Sequence, residues 1–281
     1  MTNNLKIEFF RRVDIYTKAK DILNKNIVNE TIDGFGEESA ILKTQNMLIY
    51  FGMLDKDGLR ALGILTIKGT NEYKEFIEKD IAHESSEVLF FKAFKYIIYL
   101  SSNIRECDDK IYKIFTIAHE LQHVLQAINL RCEQLRTGIL LKYFHLQGKE
   151  TLTNEIYRQI PAEKEAFIKA KKINYQILRK KEVDAFIDNE ISEIESRINK
   201  TRGGDITDLE AEKSYWQNIR DLDGNCSYDL RGEAKKYWKK YEADIENKAE
   251  SIRKKKEANK LDNNEKAFLD AYEKFYKECS E

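Results

Sequence analysis

The stretch Asp108-Asp-Lys-Ile-Tyr-Lys-Ile-Phe-Thr-Ile-Ala-His119-Glu120-Leu-Gln-His123-Val-Leu-Gln-Ala-Ile128 decides how this chain is read. Ile111, Ile114, Phe115, Ala118, Leu121, Leu125 and Ile128 recur at spacings of three and four for about five turns, and Asp108 or Asp109 stands where an N-cap belongs. The segment is therefore expected to be a helix. His119 and His123 are four residues apart, which places both imidazoles on one face, one turn from each other. Ile114, Phe115, Ile117, Ala118, Val124 and Leu125 surround them with apolar side chains, so the helix and its histidines are expected to be buried. Buried polar groups need partners. Two on one face need either two hydrogen-bond acceptors or donors, or one shared ion.

His119-Glu120-Leu121-Gln122-His123 is an H-E-x-x-H sequence, and it holds two of the chain's 4 histidines. With Glu at roughly a tenth of the residues, this spacing would arise by accident about 0.005 times in such a chain, so coincidence is a poor account of it. Neutral imidazole suits Zn²⁺, and a catalytic zinc keeps three protein ligands plus a water whose pKa falls to about 7. Glu120, adjacent to the first histidine, is placed to hold that water as general base and to pass its proton to a leaving amine.

His119-Glu-Leu-Gln-His-Val-Leu-Gln126 resembles the zincin metallopeptidases, in particular those whose third ligand is a glutamate downstream. In such families that glutamate opens a second helix within a Glu-x-x-Ala pattern, often as Pro-x-Glu-x-Glu-Ala. Here Pro161-Ala-Glu163-Lys-Glu165-Ala166-Phe167 matches, with the chain's only proline at its head. The resemblance thus implies Glu163 as third ligand. Glu165, on a different face of the same helix, is an alternative. So is Glu246 of Tyr241-Glu-Ala-Asp-Ile-Glu246-Asn-Lys-Ala249, which repeats the Glu-x-x-Ala spacing, and His145 is a further candidate. The intracellular ImmA/IrrE-like peptidases are a distant comparison, sharing a downstream Glu. The metzincin extension is absent, since no third histidine follows on the helix. The same resemblance implies that an antiparallel edge strand ahead of the metal helix binds extended peptide, a place taken in chain order by Tyr96, Ile97, Ile98, Tyr99 and Leu100. Tyr143, His145, Tyr157 and Arg158 are candidates for stabilising the oxyanion.

Upstream, Phe9, Val13, Tyr16, Ala19 and Leu23 share one helical stripe. Met47–Leu54 and Leu59–Ile67 flank Asp55-Lys-Asp-Gly58 and are expected to pair as a β-hairpin. Tyr96–Leu100 is a third strand, closed by Ser101-Ser102-Asn103. Downstream, Lys180–Lys200, Asp208–Leu222, Leu230–Lys256 and Asp262–Lys277 read as successive charged helices. Strands confined to the first 100 residues with helices after them indicate α+β, a zincin-like catalytic domain over 1–178 and a helical extension over 179–281.

The whole chain, 281 residues at 42% hydrophobic, is long enough to build a core of one large or two small domains. A formal charge of -1 gives no global field toward nucleic acid or a membrane surface, and no apolar run is long enough to span a bilayer. The start, Met1 to Arg12, has no apolar signal region, so a cytoplasmic protein is expected. Cys107, Cys132, Cys226 and Cys279 lie far apart without a C-x-x-C pair, which reads as four reduced thiols. No phosphate-cradling glycine motif occurs. The expectation is a zinc-dependent peptidase, with one Zn²⁺ per chain, a peptide or protein substrate, and C-terminal helices available to a protein partner. The rival is a helical partner-binding protein whose zinc site is structural or degenerate.

Overall fold

In the computed structural model the described residues are 6–7, 18–51, 63–68, 92–100, 104, 108–147, 159–201, 206–224, 227–257 and 261–279. They form an α+β protein of two compact units. The first takes in Met1–Leu125 and Lys169–Val183, the second Gln126–Ile168 and Asp184–Glu281. Two of the boundaries pass through helices, α3 (Lys110–Asn129) and α5 (Pro161–Ile177), so each unit contains part of both. Among the described residues no helix is long and apolar enough to cross a membrane.

The first unit is built on a four-stranded sheet. Its order is β1 (Lys6–Ile7), β2 (Met47–Phe51), β4 (Tyr96–Leu100), β3 (Gly63–Ile67). β1 and β4 run parallel to β2, and β3 runs antiparallel to β4. Met47, Leu48 and Ile49, like Tyr96, Ile97 and Ile98, are buried at consecutive positions, so the two central strands are covered on both faces. Tyr50 and Tyr99 sit opposite each other in register with ring centroids 5.4 Å apart.

Two expectations about these strands are overturned. β2 and β3 do not pair as a hairpin, because β4 lies between them; the Asp55–Gly58 turn falls outside the described residues. The physical reason is that a strand apolar at every position seeks a partner that is apolar at every position. Met47-Leu-Ile-Tyr-Phe51 finds it in Tyr96-Ile-Ile-Tyr-Leu100, from 45 residues away in register, rather than in its neighbour along the chain. It follows that Tyr96–Leu100 is an interior strand, with both edges already hydrogen-bonded, and has no main-chain edge to offer a peptide.

Around the sheet lie α1 (Lys18–Asp33), α2 (Glu38–Lys43), the first four turns of α3 and the tail of α5. α1 takes in Ala19 and Leu23 of the expected stripe and continues to Asp33; Phe9, Val13 and Tyr16 lie outside the described residues, and Lys6–Ile7 is strand. Asn24, Ile27, Val28, Thr31 and Ile32 are its buried face at helical spacing. Gly34, just past its end, lets the chain approach α5 closely: a Cβ there would come within 2.9 Å of Ile173. Gly36 then takes φ 63°, the left-handed turn between α1 and α2. Lys169 of α5 pairs with Glu38 of α2.

α3 is capped as its sequence indicates: the Tyr112 N–H donates to Asp109 Oδ1 at 3.0 Å, and Asp109 satisfies one of the free amides of the first turn. All ten residues from Lys113 to Gln122 are buried. Lys113 donates to Asn24 of α1, which keeps its charged end within a hydrogen bond.

The second unit is helical. Its main core joins Ile139, Leu140, Tyr143 and Phe144 of α4 (Arg131–Leu146), Trp238, Ile245, Ala249 and Ile252 of α8 (Leu230–Glu257), and Phe268, Leu269, Tyr272 and Phe275 of α9 (Asn263–Cys279). α9 opens with a capping box in which Glu265 N–H donates to Asp262 Oδ1 at 2.8 Å and Asp262 N–H to Glu265 Oε2 at 3.4 Å. Phe186 of α6 (Lys180–Lys200) meets Trp216 of α7 (Thr207–Asp221) edge-on at 5.4 Å. The four downstream helices lie within a residue or two of where the sequence puts them.

The reading of four reduced thiols fails for Cys132 and Cys279, which form a disulfide. Their separation of 147 residues hides the pairing, but Cys132 is in the first turn of α4 and Cys279 ends α9, and the two helices pack antiparallel. Arg131 and Glu278 form an ion pair beside them at 3.2 Å, and Arg136 lies over the Phe275 ring further along. Cys107 and Cys226 lie outside the described residues. Two outcomes follow for stability. Cys279→Ser should lower the unfolding free energy of the helical unit by about 2–4 kcal/mol, read as an earlier urea midpoint under non-reducing conditions. Asp109→Ala should cost about 1 kcal/mol through the lost cap, measured the same way.

Candidate metal centre

The two histidines of α3 meet as their spacing requires. His119 Nε2 and His123 Nε2 are 3.1 Å apart, and the rings stand edge to face at 87° with centroids 4.7 Å apart. Such a separation serves a hydrogen bond between opposite tautomers, and it is also close to the roughly 3.3 Å between two nitrogens held tetrahedrally at 2.0–2.1 Å from one zinc. His119 is 9% exposed and His123 is half-buried.

The third donor comes from α5. Pro161 starts this helix, where its missing N–H is no loss, and Lys164 N–H already closes the first turn onto the Ile160 carbonyl at 3.0 Å. Glu163 sits in that turn, 5% exposed, near the positive end of the helix dipole. A buried carboxylate is costly unless it is paired or coordinates a cation. The Glu163 carboxylate oxygen and one ring nitrogen of each histidine all lie within 4.8 Å of one another. His119, His123 and Glu163 therefore form a group that can hold a metal ion, and no other such group occurs among the described residues.

The remaining candidates fall elsewhere. Glu120 is buried at 5% exposure on α3, directly after His119. Glu165 is not in the group; its carboxylate accepts from Gln126 Nε2 at 2.8 Å. Glu246 lies on α8 and accepts from the Tyr276 hydroxyl at 3.1 Å. His145 is exposed near the end of α4. Tyr143 is part of the α4–α8–α9 core, where burial, then the charge of Asp244 and the neighbouring Tyr241, raises its hydroxyl pKa and keeps it protonated. Tyr157 and Arg158 lie outside the described residues. Gln126, which sequence reasoning passed over, is 2% exposed and bonded to α5. Its signal was a polar side chain one turn past His123 on the same helix face as the two histidines.

No protein-family model, no curated protein and no solved structure matches this chain. The donor set thus speaks through its chemistry alone. Two imidazoles and a carboxylate suit Zn²⁺ and also other divalent transition ions such as Fe²⁺.

Metal-free protein titrated with zinc should take up one ion per chain. His123→Ala and Glu163→Ala should each weaken binding by more than about 100-fold, beyond the 10–100-fold that loss of an outer partner costs. Glu246→Ala should bind as the wild type does. Undiminished zinc in Glu163→Ala would remove that residue from the ligand set.

Proposed function

We propose that the protein is a zinc-dependent peptidase of zincin type, with His119, His123 and Glu163 as the ligands of one Zn²⁺ and Glu120 as the general base. The observation that carries this reading is the convergence of those three side chains from two helices, with a second carboxylate, Glu120, buried directly after the first histidine in the chain. The donor set alone suits iron as well as zinc. Glu120, buried on α3 directly after His119, supports the hydrolytic reading, because a carboxylate able to reach a metal-bound water is the group that hydrolysis needs. The order of elements, a small sheet, then the helix of the motif, then a second helix opening on Glu163, supports a zincin-like arrangement.

Held by His119, His123 and Glu163, a zinc ion would supply Lewis-acid polarisation of a carbonyl and an acidified water. The protein's own contributions are three. His119 and His123, on a helix whose residues 113–122 are buried, offer one imidazole nitrogen each from a regular element and not from a loop. Glu163 adds one negative charge to offset the cation. Glu120 takes a proton from the attacking water and returns it to the leaving amine, in surroundings where burial strengthens each electrostatic contact. The exposed, charged helices of the second unit remain available for a protein partner.

Glu120→Gln should retain zinc at wild-type stoichiometry and lose peptide hydrolysis by about 10²–10⁴-fold, the usual contribution of a general base. Cleavage of a mixed peptide library followed by mass spectrometry reads this without a known substrate. Wild-type protein that holds zinc yet cleaves nothing would favour the rival, a partner-binding protein with a structural ion.

A further inference from the structure

We propose that Gln126 is the positioning residue of the metal centre, bracing the first turn of α5 so that Glu163 faces the two histidines; the proposal rests on the reading of His119, His123 and Glu163 as zinc ligands. Gln126 follows His119 and His123 at seven and three residues, which keeps all three along one face of α3. It is 2% exposed, and both hydrogens of its amide are used. One goes to the Ala162 carbonyl at 2.9 Å, the other to Glu165 Oε2 at 2.8 Å.

These two acceptors bracket the ligand. Ala162 immediately precedes Glu163, and Glu165 follows two residues later, one turn from Ala162 on the same helix. A side chain bonded to both sets how far that turn is rotated about its axis and how far it sits along α3. The Ala162 carbonyl has a second lone pair, so the bond from Gln126 does not compete with the helix's own ladder. The bond to Glu165 is charge-assisted, the stronger kind, and it commits that carboxylate to a role outside the ligand set. Glu163 lies in the same turn, so the brace on its neighbours limits where its carboxylate can go. The Glu-x-Glu pair thus divides its labour: the first glutamate faces the ion, the second anchors the helix that carries it.

The test uses the full-length chain, freed of metal and titrated with zinc against a competing chelator. Gln126→Met keeps the length and apolar stem of the side chain and removes both donors; zinc affinity should fall about 10–100-fold, the range for lost outer partners. Glu165→Ala, at a half-buried position, removes one bond of the two and should give a smaller loss, while Glu165→Gln keeps an acceptor oxygen and should bind zinc within about threefold of wild type. The unfolding midpoint of the metal-free protein is the control for a merely structural role. A lowered midpoint in Gln126→Met with unchanged zinc affinity would overturn the proposal, as would equal affinities in wild type and both Gln126→Met and Glu165→Ala. Wild-type protein that takes up no zinc would overturn the metal reading first and this proposal with it.

Discussion

A buried stretch of helix can carry polar groups only if each finds a hydrogen-bonding partner, and α3 carries several. From Lys113 to Gln122 no residue reaches solvent freely, yet Lys113, Thr116, His119, Glu120 and Gln122 lie in that stretch, and Gln126 follows. The structure around α3 answers this demand. Asn24 of α1 receives Lys113, the Tyr112 carbonyl receives Thr116, and the first turn of α5 receives Gln126 and brings Glu163 to the histidines. A purely apolar α3 would ask nothing of α5 beyond shape. The polar α3 asks for specific atoms at specific heights, and that requirement sets where the second helix starts and which of its residues face inward.

α5 meets the demand by using its two halves differently. Its first turn, at Pro161, holds the carboxylates and the carbonyl that α3 needs. Its tail packs on α1, where Gly34 gives way to Ile173 and Ile177 and where Lys169 pairs with Glu38. The three side chains of the candidate site thus come from two helices and not from a loop.

The sheet plays a supporting part. Its two central strands are apolar at nearly every position and pair with each other in full register, which leaves the two-residue β1 and the five-residue β3 outside them. Burial of both faces explains why sequence-adjacent β2 and β3 are not neighbours: pairing was decided by which strand could cover which, a property of the whole layer. The helical unit shows the same logic in the covalent link from Cys132 to Cys279, which joins helix ends brought together only by antiparallel packing.

What the sequence determined by itself was local. The α3 periodicity, its Asp109 cap, the same-face histidines, the Pro161 helix start and the four downstream helices all follow from spacings shorter than two turns or from a single residue's backbone preference. Such features are written in neighbouring residues, so they can be read there. Tertiary structure decided whatever joined distant segments: β4 inserted between β2 and β3, the disulfide across 147 residues, and the assignment of Glu163 to the histidines with Glu165 to Gln126. The motif resemblance favoured Glu163 over Glu165, but spacing along the chain left both open. The rotation of α5 against α3 makes them different, and that rotation is fixed by packing and hydrogen bonds from residues far away in the chain.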